Sequence, residues 1–552
     1  MAPENSTSRP PRAPLAVPPP VGSTFATFVL YGSLAALLAA LYAAGEWWQL
    51  AGGFGFPSDS AWARAVFARN VAAGRGLCFN PDVPVAGAPG PAWIGLLALA
   101  GLTTGQFLFS AKLLGLVCVT VAACVVWRLT LELLGDWRFA FVAGLLVAAS
   151  PRLSAAALSG TEAALAALLL VGVLHWHAQG WWGGPATRVL ATLALGLAAL
   201  SRPALILLLP LALLDRWLIA ALHAPPGRRL GRALARSVPE AAGAALLLVP
   251  YLAYNWRAGG PLWQQPESAF RLQGPLAWAG ATLSHLWADN AVALCAAAVG
   301  LPVAALSALR AHTRCPSLLP VLAPLALLIA PGLLWPRAAP INAEITASYL
   351  TPAVAVLGVS GLFAAHRLGH RLAPRWRGAR GRAAFAGGVA LSTGALFALL
   401  ALGHGPMWRE HGNRVKRVSD LQGYIGRWAG DHLPLDASIA SREVGAIGFF
   451  SRRRMVDLGG TISPEGLAAL SGPGLPDSNL LAYLQQVQPS HLAIRPADFP
   501  DLSRRADLLT PAVTCIVTDP VTGGSTTMTL YETPWPPASL RDAAALATPG
   551  PR

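Results

Sequence analysis

The carboxylate whose surroundings best suit chemistry is Asp59. It lies in Phe56-Pro57-Ser58-Asp59-Ser60, a polar stretch that continues through Phe67-Ala68-Arg69-Asn70, Gly74-Arg75-Gly76 and Phe79-Asn80-Pro81 to Pro91-Ala92-Trp93. A carboxylate in such a loop can accept the proton of an attacking hydroxyl, and general-base help of this kind is worth roughly 10²–10⁴-fold. The same residue beside two serines can equally be a helix N-cap, with Ser58 or Ser60 sharing the role. Spacing alone leaves both readings open.

Other ionisable residues stand at the ends of apolar runs. Glu162 follows Ser159-Gly160-Thr161, where a helix dipole favours a carboxylate by roughly 0.3–1 kcal/mol and Ser159 or Thr161 can cap, so a role in orienting a substrate competes with a structural one. Arg202, in Ser201-Arg202-Pro203, would cost at least roughly 2.5–3.5 kcal/mol at mid-bilayer, but at a boundary it can meet a phosphate bidentately or simply snorkel. Arg257 and Arg337, also at the ends of runs, are weaker phosphate candidates. Trp263, Trp278 and Trp287 read as an interfacial belt, and His285, His404 and His411 as solvated or internally satisfied residues.

The elements that must position these residues are membrane helices. The chain has 552 residues, 54% hydrophobic and 12% charged, with mean hydropathy +0.50. That composition implies a polytopic membrane protein. Its net charge of +15 sits mainly on arginines in short connections, which points to topology rather than to nucleic acid. Six cysteines show no CxxC spacing and no neighbouring histidine, so neither a zinc site nor a disulfide framework is indicated.

Residues 1–22 are expected to be a disordered cytoplasmic tail rather than a cleaved signal, and a first span near 25–44 should end at Glu46-Trp47-Trp48. Later apolar runs near 106–126, 138–150, 162–178, 187–201, 203–221, 238–255, 291–310, 317–335, 347–365 and 384–403 make about 11 spans in all. With the N-terminus inside, Arg128 and Arg138, Arg228 to Arg236, Arg310 and Arg314, and the run Arg367 to Arg382 all become cytoplasmic. The Asp59 loop, Glu162, Arg202 and the 256–290 and 336–346 connections then face outward. Trp62, Ala65, Val66 and Arg69 follow Asp59 at helical spacing and predict an amphipathic helix lying at the membrane surface.

The chain thus divides into the tail, a transmembrane module over 23–403 with its first external loop at 51–93, an extracytoplasmic α/β domain over 404–535, and a disordered tail over 536–552. The external domain is expected to alternate helices (Arg414–His432, Glu443–Phe450, Asn479–Gln488) with strands (Ser438–Ser441, Met455–Leu458, His491–Ile494, Val513–Thr518, Thr526–Tyr531).

The order Asp59, Trp62, Ala68-Arg69-Asn70, Gly74, Gly76, Phe79-Asn80-Pro81, Gly87, Pro91 and Trp93 resembles the first external loop of GT-C-type membrane glycosyltransferases. These include the protein O-mannosyltransferases and the bacterial lipid A aminoarabinose transferases. Ser159 to Glu162, Ser201-Arg202-Pro203, Tyr349-Leu350 with Pro352, and Val444 to Gly448 extend the likeness in order along the chain. The resemblance implies a GT-C-like bundle, Asp59 as the catalytic base, and Glu162, Arg202, Arg69, Asn70, Arg257, Arg337 and Tyr349 as substrate-binding candidates. It also implies a polyprenyl-phosphate-linked sugar as donor, an extracytoplasmic acceptor, and a bacterial plasma-membrane location. Departures from the family pattern are Ser60, where a second acidic residue is usual, Ala204 and Ser348. Ser60 weakens the case for a divalent metal, because hard cations want several oxygen ligands, and no other cofactor is implied.

The leading function is therefore sugar transfer outside the cytoplasm. A catalytically inactive binding or assembly protein of the same fold is the alternative, in keeping with the three departures. A transporter is disfavoured by the lack of repeats and of charges inside the spans, where Lys112 is the main exception.

Overall fold

The computed structural model describes residues 21–537 and 539, apart from 180–183, 224–228, 261, 264–273, 310–316, 335–339, 373–378, 471–475 and 519–523. Residues 1–20, Arg228, Arg310, Arg314, Cys315, Arg337 and residues 540–552 thus lie outside the described residues.

Helices run in the order α1 (Val21–Gln49), α2 (Asp59–Ala72), α3 (Pro91–Thr104), α4 (Phe107–Leu134), α5 (Trp137–Ala148), α6 (Pro151–Leu158), α7 (Ala163–Gln179), α8 (Pro185–Ser201) and α9 (Leu208–His223). They continue with α10 (Arg229–Arg257), α11 (Gly274–Leu309), α12 (Leu319–Leu334), α13 (Pro340–Leu372), α14 (Ala379–Val418), α15 (Tyr424–His432), α16 (Val444–Ser451), α17 (Pro464–Leu470) and α18 (Pro476–Val487). Among the described residues, seven helices are long and apolar enough to cross a membrane, and α5 with α6 forms a further pair bent by 48°. Each apolar run expected from the sequence coincides with one of these helices or with a shorter apolar one.

Four local differences have physical causes. Helix α1 does not stop at Glu46 but buries it and runs on to Gln49. Helix α3, an apolar segment of 14 residues, is too short to register as a span, yet it packs on α2 and α4. Within the 256–290 connection the part from Gly274 is helical, because α11 starts there and breaks at Asn290, whose side chain accepts the N–H of Ala293 and so caps the second half. Trp278 is consequently buried on that helix, whereas Trp287 remains exposed. Lastly, α14 crosses Gly403 without interruption to Val418, so the change of composition there falls inside one helix.

Beyond α14 lies a five-stranded sheet with strands β1 (Ser438–Ser441), β2 (Arg454–Asp457), β3 (His491–Ile494), β4 (Thr510–Thr518) and β5 (Ser525–Glu532). The strand order is β2-β1-β3-β5-β4. Strand β1 pairs parallel with β2 and β3, setting Ala440 opposite both Val456 and Leu492, and β5 runs antiparallel to β3 and β4. Parallel neighbours need crossovers, and α16 supplies the one between β1 and β2.

The bundle also buries charge that the sequence left unassigned. Lys112 reaches Glu46 at 2.7 and 2.8 Å, and His411 of α14 meets the same carboxylate at 2.7 Å. Arg152 pairs with Asp289, and His177 lies 3.0 Å from Asp215, which also accepts the Leu318 N–H at 2.6 Å. The expectation that Lys112 is the main charge inside the spans is therefore corrected: each buried charge has a partner distant in sequence, which hydropathy cannot register.

Candidate functional site

Pro57 and Ser58 turn the chain out of α1, and Asp59 is the first residue of α2. Ser58 has extended backbone at φ −144°, ψ 147°, and its hydroxyl lies 3.3 Å from that of Ser60 instead of capping the helix. The Asp59 side chain acts on a different helix. Its Oδ2 accepts the N–H of Gly445 and its Oδ1 that of Ala446, both at 2.8 Å. Helix α16 has no cap of its own from Glu443, so Asp59 satisfies orphan amides at the positive end of that helix. The carboxylate is held in one orientation and stays half-buried.

This contact is close because Gly445 has no side chain. A Cβ there would fall 2.0 Å from the Asp59 carbonyl oxygen and 2.7 Å from the Ala63 nitrogen. Helix α2 is accordingly sandwiched: Ala61 to Ala68 and Asn70 are all buried. The expected amphipathic surface helix is corrected to a buried one, because α3 covers one side and α16 the other. Trp62 packs against Phe56, Phe449 and Phe450 at centroid distances of 4.8 Å.

One turn along α2, Arg64 donates through Nη1 to the Ser60 carbonyl at 2.8 Å and through Nη2 to Glu162 Oε1 at 3.0 Å, with its Nε against the other carboxylate oxygen. Arg202, the C-cap of α8, meets Glu162 Oε1 through Nη1 at 3.1 Å. Glu162 is fully buried between the two guanidinium groups. Tyr349 is buried within the electrostatic reach of Arg202, and its hydroxyl lies 3.0 Å from that of Thr346. Gly90, in left-handed backbone at φ +62°, lets the loop pass over this cluster, since a Cβ there would come 3.2 Å from the Glu162 carboxyl. Asp59, Glu162, Arg202 and Tyr349, spread over 291 positions of sequence from 59 to 349, are thereby gathered at one end of the bundle.

The remaining motif residues act as staples. Asn70 donates to the carbonyls of Cys78 and Phe79 at 3.0 and 2.8 Å, closing the turn after α2. Asn80 donates to the Met455 carbonyl and accepts the Met455 N–H, both at 2.8 Å, and so completes the edge of β2. Trp93 donates to the Gly160 carbonyl at 2.9 Å. Arg69 points away from the Glu162 cluster and donates to the Phe449 carbonyl at 3.0 Å. Arg257 is exposed at the end of α10 and joins none of these groups.

Two participants escaped sequence reading. Arg64 lies between alanines within a helix, where its charge inside a buried run was the available signal. Glu443 lies next to the amides that Asp59 holds, and its Oε1 accepts from Arg495 at 2.5 Å. Burial pushes the Glu443 carboxyl up, against the downward pull of Arg495. Each Asp59 oxygen accepts one amide hydrogen, and Ser60 supplies no second carboxylate beside it.

A family described as "Domain of unknown function (DUF8728)" matches residues 411–531. No curated protein sequence matches the chain. Among solved structures, the archaeal oligosaccharyltransferase AglB from Archaeoglobus fulgidus, in complex with an inhibitory peptide and a dolichol-phosphate, superposes with a TM-score of 0.63 at 13% identity, covering 92% of this chain and 74% of that one. ArnT from Cupriavidus metallidurans in the apo state gives 0.57 at 15% identity, with 92% and 98% covered. The same protein bound to undecaprenyl phosphate gives 0.57 at 15%, with 91% and 97% covered. At these identities the likeness is one of fold, and it bears out the fold that the resemblance implied: the chain has the GT-C fold seen in these membrane glycosyltransferases.

Proposed function

We propose that the protein transfers a sugar from a polyprenyl-phosphate donor to an acceptor on the extracytoplasmic side of a bacterial plasma membrane. The observation that carries this reading is the linkage Asp59, Ser60, Arg64, Glu162, Arg202, which joins a fixed carboxylate to a buried guanidinium pair at the same end of the bundle. Arg202 meets Glu162 through one nitrogen, which leaves further N–H donors for a phosphate oxygen. In the reaction, the acceptor oxygen bonds to the anomeric carbon as the bond from that carbon to the phosphate oxygen breaks. The acceptor proton passes to the Asp59 carboxylate. The negative charge leaves on the polyprenyl phosphate, opposite Arg202. The sheet domain, in which Glu443 precedes the amides held by Asp59 and pairs with Arg495, contributes to acceptor recognition.

A second reading is favoured by the same hydrogen bonds: Asp59 serves only as the clamp on α16, and the protein binds or assembles without catalysis. Asp59→Asn separates the two when transfer from a radiolabelled polyprenyl-phosphate sugar pool is measured alongside hydrogen exchange of residues 444–451. Wild-type transfer that is lost in the variant with α16 still protected supports the base, whereas no transfer by wild type, with protection of α16 lost in the variant, supports the clamp. Unchanged glycan product from the inserted variant sinks the catalytic assignment.

A further inference from the structure

Where the C-terminal end of α2 meets the end of α16, the chain forms an open cavity of about 280 Å³ whose lining includes Arg69, Arg75, Arg452 and Arg453 but no carboxylate. Asp82, one residue beyond the lining Pro81, is exposed and forms no ion pair with any of the four among the described residues.

The four arginines differ in how they are held. Arg453 is anchored in the wall, donating to the carbonyls of Gly430, Leu433 and Ser451. Arg69 is fixed by its bond to the Phe449 carbonyl, with its guanidinium 5.1 Å from the Phe449 ring centre. Arg75 and Arg452 are exposed and make no ion pair among the described residues. Arg452 occupies the C-cap of α16 in left-handed backbone at φ +54°, a position where glycine is the usual residue and a branched chain is strained. The cap residue thus sets a cation in the cavity lining.

Three guanidinium groups near one another, one of them half-buried, repel without an intervening anion. The Arg69 guanidinium is pushed down to about 10, by burial first and then by Arg452 and Arg75. A planar fork of N–H donors from several arginines matches phosphate oxygens bidentately. The volume suits a phosphate or pyrophosphate group with one small substituent and falls just short of the roughly 300 Å³ lower bound of drug-sized pockets. We infer that this arginine-lined cavity between α2 and α16 is a binding site for a phosphate-bearing ligand, separate from the Asp59 and Glu162 cluster. It stands independently of whether Asp59 is a base.

The shared chemistry is the phosphate group, whether free in solution or on a lipid headgroup. The test uses the full-length protein in two arms: inorganic pyrophosphate titrated calorimetrically against detergent-solubilised protein, and nanodiscs with or without phosphatidic acid, read by native mass spectrometry for retained lipid. Wild type is compared with the double variant Arg75→Gln, Arg452→Gly, and with Arg454→Gln, an exposed arginine outside the lining. Arg452→Gly relieves the left-handed strain, so the double variant is expected to fold. Binding weakened by about tenfold or more in the double variant, and unchanged in Arg454→Gln, supports the site. The arm in which it occurs identifies a free or a lipid-borne phosphate. Equal binding by wild type and double variant, or no binding in either arm, overturns it.

Discussion

Asp59 Oδ2 accepts the backbone N–H of Gly445 at 2.8 Å, so the candidate base of the first loop and the first turn of α16 in the sheet domain are one structural unit. Whatever orients the sheet domain therefore orients Asp59, and the two regions cannot be altered independently.

Gly445→Ala is predicted to separate them. The added Cβ would overlap the Asp59 carbonyl oxygen at 2.0 Å, and overpacking of this kind costs about 1–3 kcal/mol. Hydrogen exchange of residues 444–451 in the detergent-solubilised protein should accelerate, and transfer activity should fall with it. Unchanged protection of α16 would contradict the close approach described above.

Glu162→Gln removes the negative charge between Arg64 and Arg202. Breaking a buried pair while leaving its partners charged costs about 3–5 kcal/mol. The apparent melting temperature in detergent should drop by several degrees, and the triple variant with Arg64→Met and Arg202→Met should recover part of the loss. If the single variant melts like wild type, the cluster does not hold the loop.

Asn80→Asp tests the edge of the sheet. Asn80 both donates to and accepts from Met455, and a carboxylate would set an acceptor against the Met455 carbonyl at a cost of about 1–3 kcal/mol. Faster exchange of the β2 amides is expected, with β4 unaffected. Equal rates in β2 would show that the loop does not support that strand.

Acid should loosen the sheet through His491. This residue is buried in β3, and burial pushes its imidazole down to about 4 from 6.5. The folded form thus prefers the neutral ring, and stability contributed by that preference is present above 6.5 and is lost as pH falls from there towards 4. At about pH 5 the loss is on the order of 2 kcal/mol. Exchange of β3 and β5 amides measured at about pH 7 and 5 should show it, and His491→Asn should remove the pH dependence. A wild-type sheet equally protected at both pH values would refute the assignment.

Much of this architecture is legible in the chain alone, because membrane helices and half-buried strands are written in local patterns. Each apolar run became a helix, and the strand expected at 491–494 is found there. The resemblance read from the order of residues between Asp59 and Trp93 pointed to the fold, and Asn70, Asn80 and Trp93 of that stretch bond backbone carbonyls of Cys78 and Phe79, Met455 and Gly160 respectively. What the pattern did not contain were pairings between distant elements. Nothing near Glu46 announces Lys112 and His411, and nothing near Glu162 announces Arg64, because a buried charge is compensated in space and not along the chain. The tertiary structure alone decided that the Asp59 carboxylate caps α16 and not its own helix, that α2 is buried and not surface-bound, and that four arginines from two segments share one cavity. Each of these depends on the sheet domain docking onto the first loop, a contact made across nearly 400 residues that no local periodicity encodes.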